Sequence, residues 1–218
     1  MKSSQQNFIA TTSSNKKIEV SFFDEVDYLS AQSAMADFAS NREVGDLDRI
    51  WLLQHPSIYT QGTACQQNTL LPSDIGVVKS DRGGQITYHG PGQIVMYPML
   101  KLKDYGLGVK ALVSILEQAV IDLLSRYQIN AARREDAPGV YVDQAKIAAL
   151  GLRIRRGTSY HGLSLNVDMD LSPFNNIDPC GYQGLQVTQM IDLLPKAKSR
   201  PQTQAITEQL YKGFVSLI

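Results

Sequence analysis

Residues 82–93 read Arg-Gly-Gly-Gln-Ile-Thr-Tyr-His-Gly-Pro-Gly-Gln and hold four of the chain's sixteen glycines. Glycine is favoured where the backbone takes positive φ or closely approaches another group. Two glycine pairs around an apolar and aromatic run predict a tight turn, a short strand and a second tight turn. Such a strand could bring backbone against a small molecule, or it could be one arm of a β-hairpin with glycine corners. The local pattern does not decide between these alternatives.

Length and composition predict a single folded domain. The chain has 218 residues, 43% of them apolar, and its 21 basic and 21 acidic residues cancel. That balance argues against a general attraction to nucleic acid or to an anionic membrane surface. We predict a flexible lead over residues 1–16 and one catalytic domain over residues 17–218. The local basic clusters are a solvated face or a docking surface for an acidic partner, and they comprise Arg133, Arg134, Arg153, Arg155, Arg156, Lys196, Lys198 and Arg200.

Cysteine content and the N-terminal sequence predict a cytoplasmic protein. Two cysteines are too few for a disulfide framework. No apolar run approaches the ~20 residues of a membrane-spanning helix. Residues 1–17 are rich in Ser, Gln, Asn and Thr and lack the apolar segment of a secretory signal. We therefore expect reduced thiols and no membrane partner. We also expect a monomer.

Hydrophobic periodicity predicts an α/β (α+β) fold with a mixed, mostly antiparallel sheet and packed helices. Helices are predicted over residues 24–40, 109–127 and 203–218, the first with Asp24 and Glu25 in its first turn. Pro98 indicates a bulge or an edge position in its strand. Residues 170–185 are predicted to be a long loop, and such loops often carry function. Extended segments are predicted over residues 17–23, 47–55, 57–63, 75–79, 93–102, 138–142, 146–155 and 160–168.

Two cysteines are candidate nucleophiles. Cys180 lies in Asp-Pro-Cys-Gly-Tyr, a polar loop sequence in which a structural cysteine would be a poor packing choice. A thiol attacks as thiolate and so needs a nearby cation, base or helix N-terminus. Cys65 has no basic sequence neighbour, and the sequence therefore favours Cys180.

A lysine and two histidines are further candidates. Lys146 begins the apolar run Lys-Ile-Ala-Ala-Leu-Gly; its side chain either snorkels to water or is held in a dry pocket as a base. His89 and His161 each lie between Tyr and Gly and could bind a metal, but no Cys, Asp or Glu completes a ligand set at useful spacing. We predict no metal site.

Several segments together closely resemble the signature of the lipoyl(octanoyl) transferases. The departures are modest: Ser57 stands where a second proline is common, and Gln189-Met190 follows the last matching pair. The matching segments run in the family's order, and they are His55-Pro56 with Tyr59-Thr60 and Gly62, residues 82–93, Tyr97-Pro98, Pro138-Gly139-Val140-Tyr141-Val142, Lys146-Ile147-Ala148-Ala149-Leu150-Gly151, His161-Gly162-Leu163-Ser164-Leu165-Asn166-Val167, Pro179-Cys180-Gly181 and Val187-Thr188.

The resemblance implies an octanoyl transfer that needs no cofactor, ATP or metal. Cys180 would attack the thioester of octanoyl-acyl carrier protein, and a lysine of a lipoyl domain (of a 2-oxo acid dehydrogenase or the glycine cleavage H protein) would then take the acyl group. Lys146 would favour the thiolate and act as base and acid. The implied substrate-binding residues are Arg82, Gly83, Gly84, Gln85, Ile86, Thr87, Tyr88, His89, Ala149, Leu150, Gly151, Gly162, Leu163 and Ser164.

The resemblance also implies the fold of the catalytic domain of biotin and lipoate protein ligases. An ATP-dependent ligase on that fold is one rival interpretation. The sequence His-Gly-Pro-Gly-Gln at residues 89–93 and Cys180 favour the transferase. A carrier-binding module without activity is the second rival, and the presence of both Cys180 and Lys146 argues against it.

Overall fold

A computed structural model describes residues 6–65, 74–135, 137–177, 185–195 and 200–218. The α-helices are α1 (Tyr28–Asn41), α2 (Val109–Arg126), α3 (Met190–Leu193) and α4 (Thr203–Ser216), and 3₁₀ turns lie at Leu102–Tyr105 and Ser172–Asn176. The strands are β1 (Gln6–Thr11), β2 (Lys17–Glu25), β3 (Asp48–Gln54), β4 (Ile58–Gln61), β5 (Val77–Lys79), β6 (Ile86–His89), β7 (Gln93–Met99), β8 (Ala132–Arg133), β9 (Val140–Val142), β10 (Ala145–Arg155) and β11 (Thr158–Asn166).

The strands form two sheets. The larger has eight strands in the order β1-β2-β3-β7-β11-β10-β9-β8, and the smaller has the order β5-β4-β6. Within each sheet one neighbouring pair is parallel, β2 with β3 and β4 with β5, while the other pairs are antiparallel. The predicted mixed, mostly antiparallel arrangement is confirmed.

Helices cover both faces of the larger sheet. Successive residues of a strand point to opposite faces, so Ile94 and Met96 of β7 pack in the core with α2 and α4. Their neighbours Val95 and Tyr97 pack with Trp51 and α1. Both faces of β7 are therefore buried, which agrees with its nearly continuous apolar sequence. None of the helices in the described part of the chain is long and apolar enough to cross a bilayer.

Two predictions near the N-terminus are wrong. Residues 6–11, which fall in the predicted flexible lead over residues 1–16, form β1, which pairs antiparallel with β2, and Phe8 packs against Phe22 and Tyr211. Helix α1 begins at Tyr28 rather than at residue 24, because β2 continues to Glu25 and pairs with β3 to that point, with a register shift after Phe22. Its N-cap is Asp27, whose side chain accepts the Ser30 N–H at 2.8 Å.

The prediction for Pro98 is corrected in part. An edge position is wrong, because β7 lies between β3 and β11. The antiparallel pairing with β11 runs from Gln93 to Met96 and places Pro98 opposite His161. His161 has φ of +57°, so the backbone irregularity lies in β11 rather than in β7. It lies opposite Pro98, which has no N–H to donate to β11.

The glycine-rich stretch is not one half of a β-hairpin. Its strand β6 pairs with β4 in the smaller sheet, whereas β7, which follows directly, belongs to the larger sheet. The turn at residues 90–92 therefore carries the chain from one sheet to the other. This crossing places residues 82–89 opposite β10 and β11.

Candidate active site

A cavity of about 60 Å³ lies between residues 84–89, strands β10 and β11, and the start of α1. Of the predicted substrate-binding residues, Gly83 and Tyr88 are not in its lining: the Gly83 N–H donates to the Leu152 carbonyl at 3.0 Å, and the Tyr88 hydroxyl pairs with Ser57 at 2.9 Å. Lys146 lines the cavity as well. The predicted substrate-binding residues in the lining are Arg82, Gly84, Gln85, Ile86, Thr87, His89, Ala149, Leu150, Gly151, Gly162, Leu163 and Ser164.

Arg82 braces the glycine-rich stretch from inside. Its guanidinium donates to the Thr60 carbonyl at 2.6 Å, to the Thr60 hydroxyl at 2.8 Å and to the Gly83 carbonyl at 3.0 Å. These bonds tie the loop before β6 to strand β4. Arg82 is buried, and it contributes positive charge to a cavity whose other walls are largely apolar.

Lys146 is buried at the start of β10, and the snorkelling alternative is wrong. Only 3% of the residue is exposed, and its Nζ donates to the Pro138 carbonyl oxygen at 3.1 Å. The Nζ also lies 5.1 Å from the centre of the Tyr141 ring, within the range of a cation–π contact. The amine is therefore held in a dry, structured environment.

Gly139 makes room for that amine. A Cβ added there would lie 3.0 Å from Lys146 Cε, 3.2 Å from its Nζ and 2.9 Å from the Ala148 carbonyl oxygen. The φ of Gly139 is +144°, which side chains rarely adopt. A glycine is therefore required after Pro138, because a larger residue would collide with the Lys146 side chain.

The chain after residue 184 runs beside Lys146. The Lys146 N–H donates to the Gln186 carbonyl and the Thr188 N–H donates to the Lys146 carbonyl, both at 2.9 Å, so that Val187 forms a parallel bridge with Lys146. The preferred nucleophile, Cys180, lies outside the described residues. Cys65 is described; it is partly buried against the cluster that contains Tyr59 and Phe174, and it does not itself line the cavity, although Phe174 does.

Hydrogen bonds connect the glycine-rich stretch to this segment. Gln93 Oε1 accepts from His89 Nδ1 at 2.7 Å, and Gln93 Nε2 donates to Asn166 Oδ1 at 2.9 Å. Asn166 Nδ2 in turn donates to the Thr188 carbonyl at 3.0 Å. Gln93 and Asn166 line the cavity but were not predicted as site residues; both lie within the segments that carried the family resemblance.

Burial favours the neutral form of all three histidines, and their partners define the tautomers. Burial lowers the pKa of His55 to about 4, and it also lowers the pKa of His89 and of His161. His55 Nδ1 donates to the Val26 carbonyl at 2.6 Å and its Nε2 accepts from the Tyr97 hydroxyl at 2.7 Å. His161 Nε2 donates to Asp81 at 2.8 Å, and this bond lowers the pKa of Asp81 to about 2.

Metal binding by His89 and His161 has no support among the described residues. No group of three His, Cys, Asp or Glu side chains in that part of the chain is arranged to hold an ion. Tyr28, between the two histidines, stacks on His89 with ring centres 5.6 Å apart and on His161 at 6.4 Å. Tyr28 and Tyr97 line the cavity; Tyr97 lies in a segment that carried the family resemblance, whereas no sequence signal identified Tyr28.

Part of the basic clusters is exposed. Arg153 and Arg155 project from the end of β10, and Arg156 lies in the turn that follows. Arg134 lies 5.2 Å from the Tyr141 ring centre, and Arg200 pairs with Asp168 at 3.3 Å. Lys196 and Lys198 lie outside the described residues. Arg153 and Arg155 thus follow the cavity-lining residues Ala149 to Gly151 on the same strand, β10.

Solved structures of lipoate and biotin protein ligases have a similar fold. A bi-partite lipoate protein ligase from Thermoplasma acidophilum superposes with a TM-score of 0.68 at 15% identity, covering 89% of this chain and 81% of that one. A biotin protein ligase from Aquifex aeolicus gives a TM-score of 0.52 at 13% identity, over 89% of this chain and 66% of the other. The predicted likeness to biotin and lipoate ligase catalytic domains is confirmed at the level of the fold.

The chain belongs to the lipoyl protein ligase A/B catalytic domain family, whose model matches residues 27–215. It is 58% identical over 166 residues to an octanoyltransferase of Marinomonas sp. (strain MWYL1), which covers 76% of this chain and 78% of the relative. It is 53% identical over 188 residues to an octanoyltransferase of Cellvibrio japonicus, covering 86% of each. The predicted family is therefore confirmed.

Proposed function

We propose that the chain is an acyltransferase that moves an octanoyl group from octanoyl-acyl carrier protein to a lysine of lipoyl domains, the first step of protein lipoylation. The observation that carries the proposal is the buried Lys146 at a largely apolar cavity whose wall is the glycine-rich stretch. The relatives named octanoyltransferase support the acyl group and the reaction class. We place the reaction in the cytoplasm and on a monomer.

The first half of the reaction is a thioester exchange. The Cys180 thiolate attacks the carbonyl carbon of the donor thioester, a new carbon–sulfur bond forms, and the bond to the carrier's sulfur breaks. The carrier thiolate leaves and takes a proton. Lys146 favours the Cys180 thiolate before attack and supplies that proton afterwards, which is the exchange expected of a positioned acid and base.

The second half forms an amide. The neutral ε-amine of the acceptor lysine attacks the Cys180 thioester, and the carbon–sulfur bond breaks as the carbon–nitrogen bond forms. The attacking nitrogen loses a proton to Lys146, and the cysteine is released. An amide is more stable than a thioester, so the transfer runs downhill without ATP.

The cavity would hold the acyl chain. Its floor is formed by small and apolar residues of β10 and β11, namely Ala149, Leu150, Gly151 and Leu163. Arg82 and the neutral His89 lie in the lining as polar groups. Ligand pockets are commonly apolar with a few placed polar groups, which suits a fatty acyl thioester.

Intact-protein mass spectrometry tests the proposal. The protein is mixed with octanoyl-acyl carrier protein, without ATP, and we expect one octanoyl adduct that hydroxylamine removes. Cys180→Ser is expected to abolish this thioester, whereas the matched control Cys65→Ser retains it. An adduct on Cys65, or a reaction that requires ATP and free octanoate, would contradict the proposal and would favour a ligase.

A further inference from the structure

Glu117 interrupts the apolar face of α2. It lies four residues after Val113 and three before Val120, on the side of the helix that packs inward. Only 5% of the residue is exposed. A buried carboxylate is strongly destabilising unless its oxygens are paired. Its position therefore requires a specific set of partners.

Both carboxylate oxygens have partners in the segment that precedes Lys146. Oε1 accepts the Gly139 N–H at 2.9 Å, and Oε2 lies 3.2 Å from Arg133 Nε. The Arg133 side chain is 38% exposed, so the negative charge of Glu117 is balanced by a guanidinium on its solvent-facing side. The inner oxygen is the one that contacts the backbone beside the lysine.

One peptide group connects Glu117 to Lys146. The N–H of the Pro138–Gly139 peptide donates to Glu117, and the carbonyl of the same peptide accepts from Lys146 Nζ at 3.1 Å. Glycine permits more than one orientation of the peptide before it. The Tyr141 hydroxyl donates to the Ala137 carbonyl at 3.1 Å, which anchors the Ala137–Pro138 peptide. The orientation of the next peptide, Pro138–Gly139, is left to Glu117.

We propose that Glu117 is a positioning residue for Lys146, because its carboxylate orients the Pro138–Gly139 peptide so that the carbonyl holds the lysine amine beside the cavity. The inference rests on the proposed function of Lys146. Hydrogen bonds in series polarise one another in a dry interior. The carboxylate thus strengthens the carbonyl as an acceptor for Lys146, in addition to fixing its direction.

Two substitutions separate the acceptor from the charge. Glu117→Ala leaves the Gly139 N–H without its acceptor and allows the peptide to turn. Glu117→Gln retains a carbonyl oxygen for that N–H and removes the charge. Gln118→Ala is the matched control, because Gln118 is the next residue of α2 and also contacts Arg133, at 2.7 Å, without a bond to Gly139.

The experiment is carried out on the full chain with Cys65→Ser as background, so that alkylation reports on Cys180. The rate of iodoacetamide alkylation is measured against pH for the background, for each Glu117 variant, for Lys146→Ala and for the Glu117→Ala, Lys146→Ala double variant. Single-turnover octanoyl transfer is measured in parallel. Thermal melting of each variant confirms that it is folded.

We expect Glu117→Ala to move the alkylation midpoint in the same direction as Lys146→Ala and to slow transfer roughly tenfold to a hundredfold, as a small misplacement of a reacting group does. Glu117→Gln should restore most of the rate, and Gln118→Ala should match the background. In the Lys146→Ala background, Glu117→Ala should add nothing, since both act through one group.

Two results would overturn the inference while the proposed function stands. The first is an unchanged midpoint and rate in Glu117→Ala when Lys146→Ala shifts both. The second is an equal loss from Glu117→Ala with and without Lys146, which would be a structural effect. If Lys146→Ala leaves the midpoint unchanged, the base role of Lys146 fails, and the inference fails with it.

Discussion

Replacing Gly162 with alanine should destabilise the sheet that forms the cavity wall. A Cβ at Gly162 would lie 2.1 Å from the Met96 carbonyl oxygen and 2.7 Å from Pro98 Cδ. Neither atom belongs to a flexible chain end. Strands β7 and β11 must therefore separate by about 1 Å at this point, where Leu163 pairs with Met96 and ladder hydrogen bonds are lost.

The loss of stability follows from two contributions. Forcing an extra carbon into a packed interior costs about 1–3 kcal/mol. Weakening two ladder hydrogen bonds costs about 1 kcal/mol each. We therefore expect Gly162→Ala to lower the free energy of unfolding by about 3 kcal/mol or more, and, at roughly 2–4 °C per kcal/mol for a chain of this size, to lower the melting temperature by roughly 6–12 °C.

Two further glycines supply controls for a urea-denaturation series. Gly76 is exposed and has no atom within 4 Å of an added Cβ, so Gly76→Ala should stay within about 0.5 kcal/mol of the parent. Gly213 lies inside α4 and its added Cβ meets only the Ala119 carbonyl at 4.0 Å. Gly213→Ala should therefore stabilise by about 0.5–1 kcal/mol. A Gly162→Ala protein as stable as the parent would refute the steric reasoning.

Further measurements test acid sensitivity, the lysine pocket and docking. Because burial holds the pKa of His55 at about 4, below the ordinary ~6.5, the unfolded chain takes up a proton on this histidine at a higher pH than the folded chain does. The neutral His55 therefore makes its full contribution to folding stability above pH 6.5, and about 3 kcal/mol of that stability is lost as the pH falls towards 4. Urea midpoints that do not fall between pH 7 and pH 5 would contradict this expectation. Gly139→Ala, whose Cβ would lie 3.0 Å from Lys146 Cε, should reduce single-turnover transfer more than tenfold, and an unaltered rate would argue against this contact. Replacing Arg153 and Arg155 with glutamine should raise KM for an acidic carrier without changing kcat, and the difference should disappear in about 0.5 M salt; a KM insensitive to both changes would exclude docking there.

Local sequence patterns were sufficient to predict the elements whose structure depends mainly on their own residues. The spacing of Leu112, Leu116 and Val120 predicted α2 almost to its ends, because a helix buries one continuous stripe. The Arg156-Gly157 turn, with φ of +48° and +77°, likewise joins β10 and β11 between the extended segments predicted at residues 146–155 and 160–168. The motif match also named most residues of the cavity wall before any geometry was known.

Long-range pairing decided what the patterns missed. The short strand β1 carries too few apolar residues to be recognised alone, and it is held by β2 and by Tyr211 of α4. Helix α1 starts late because β2 extends along β3, so strand pairing outweighs the preference of Asp24 and Glu25 for a helix start. Such contacts depend on partners distant in the chain, which no local window contains.

The sequence by itself determined the fold class and the family, since these follow from periodicity and from motifs read in order, and it nominated Cys180 and Lys146 as candidate reactive side chains. The tertiary structure alone decided that residues 82–93 cross between two sheets, that Tyr28 and Tyr97 face the same cavity, and that one peptide group stands between Glu117 and Lys146. The physical reason is that burial and hydrogen bonding depend on which elements meet. Only the folded chain brings a carboxylate of α2 to a glycine twenty-two residues later.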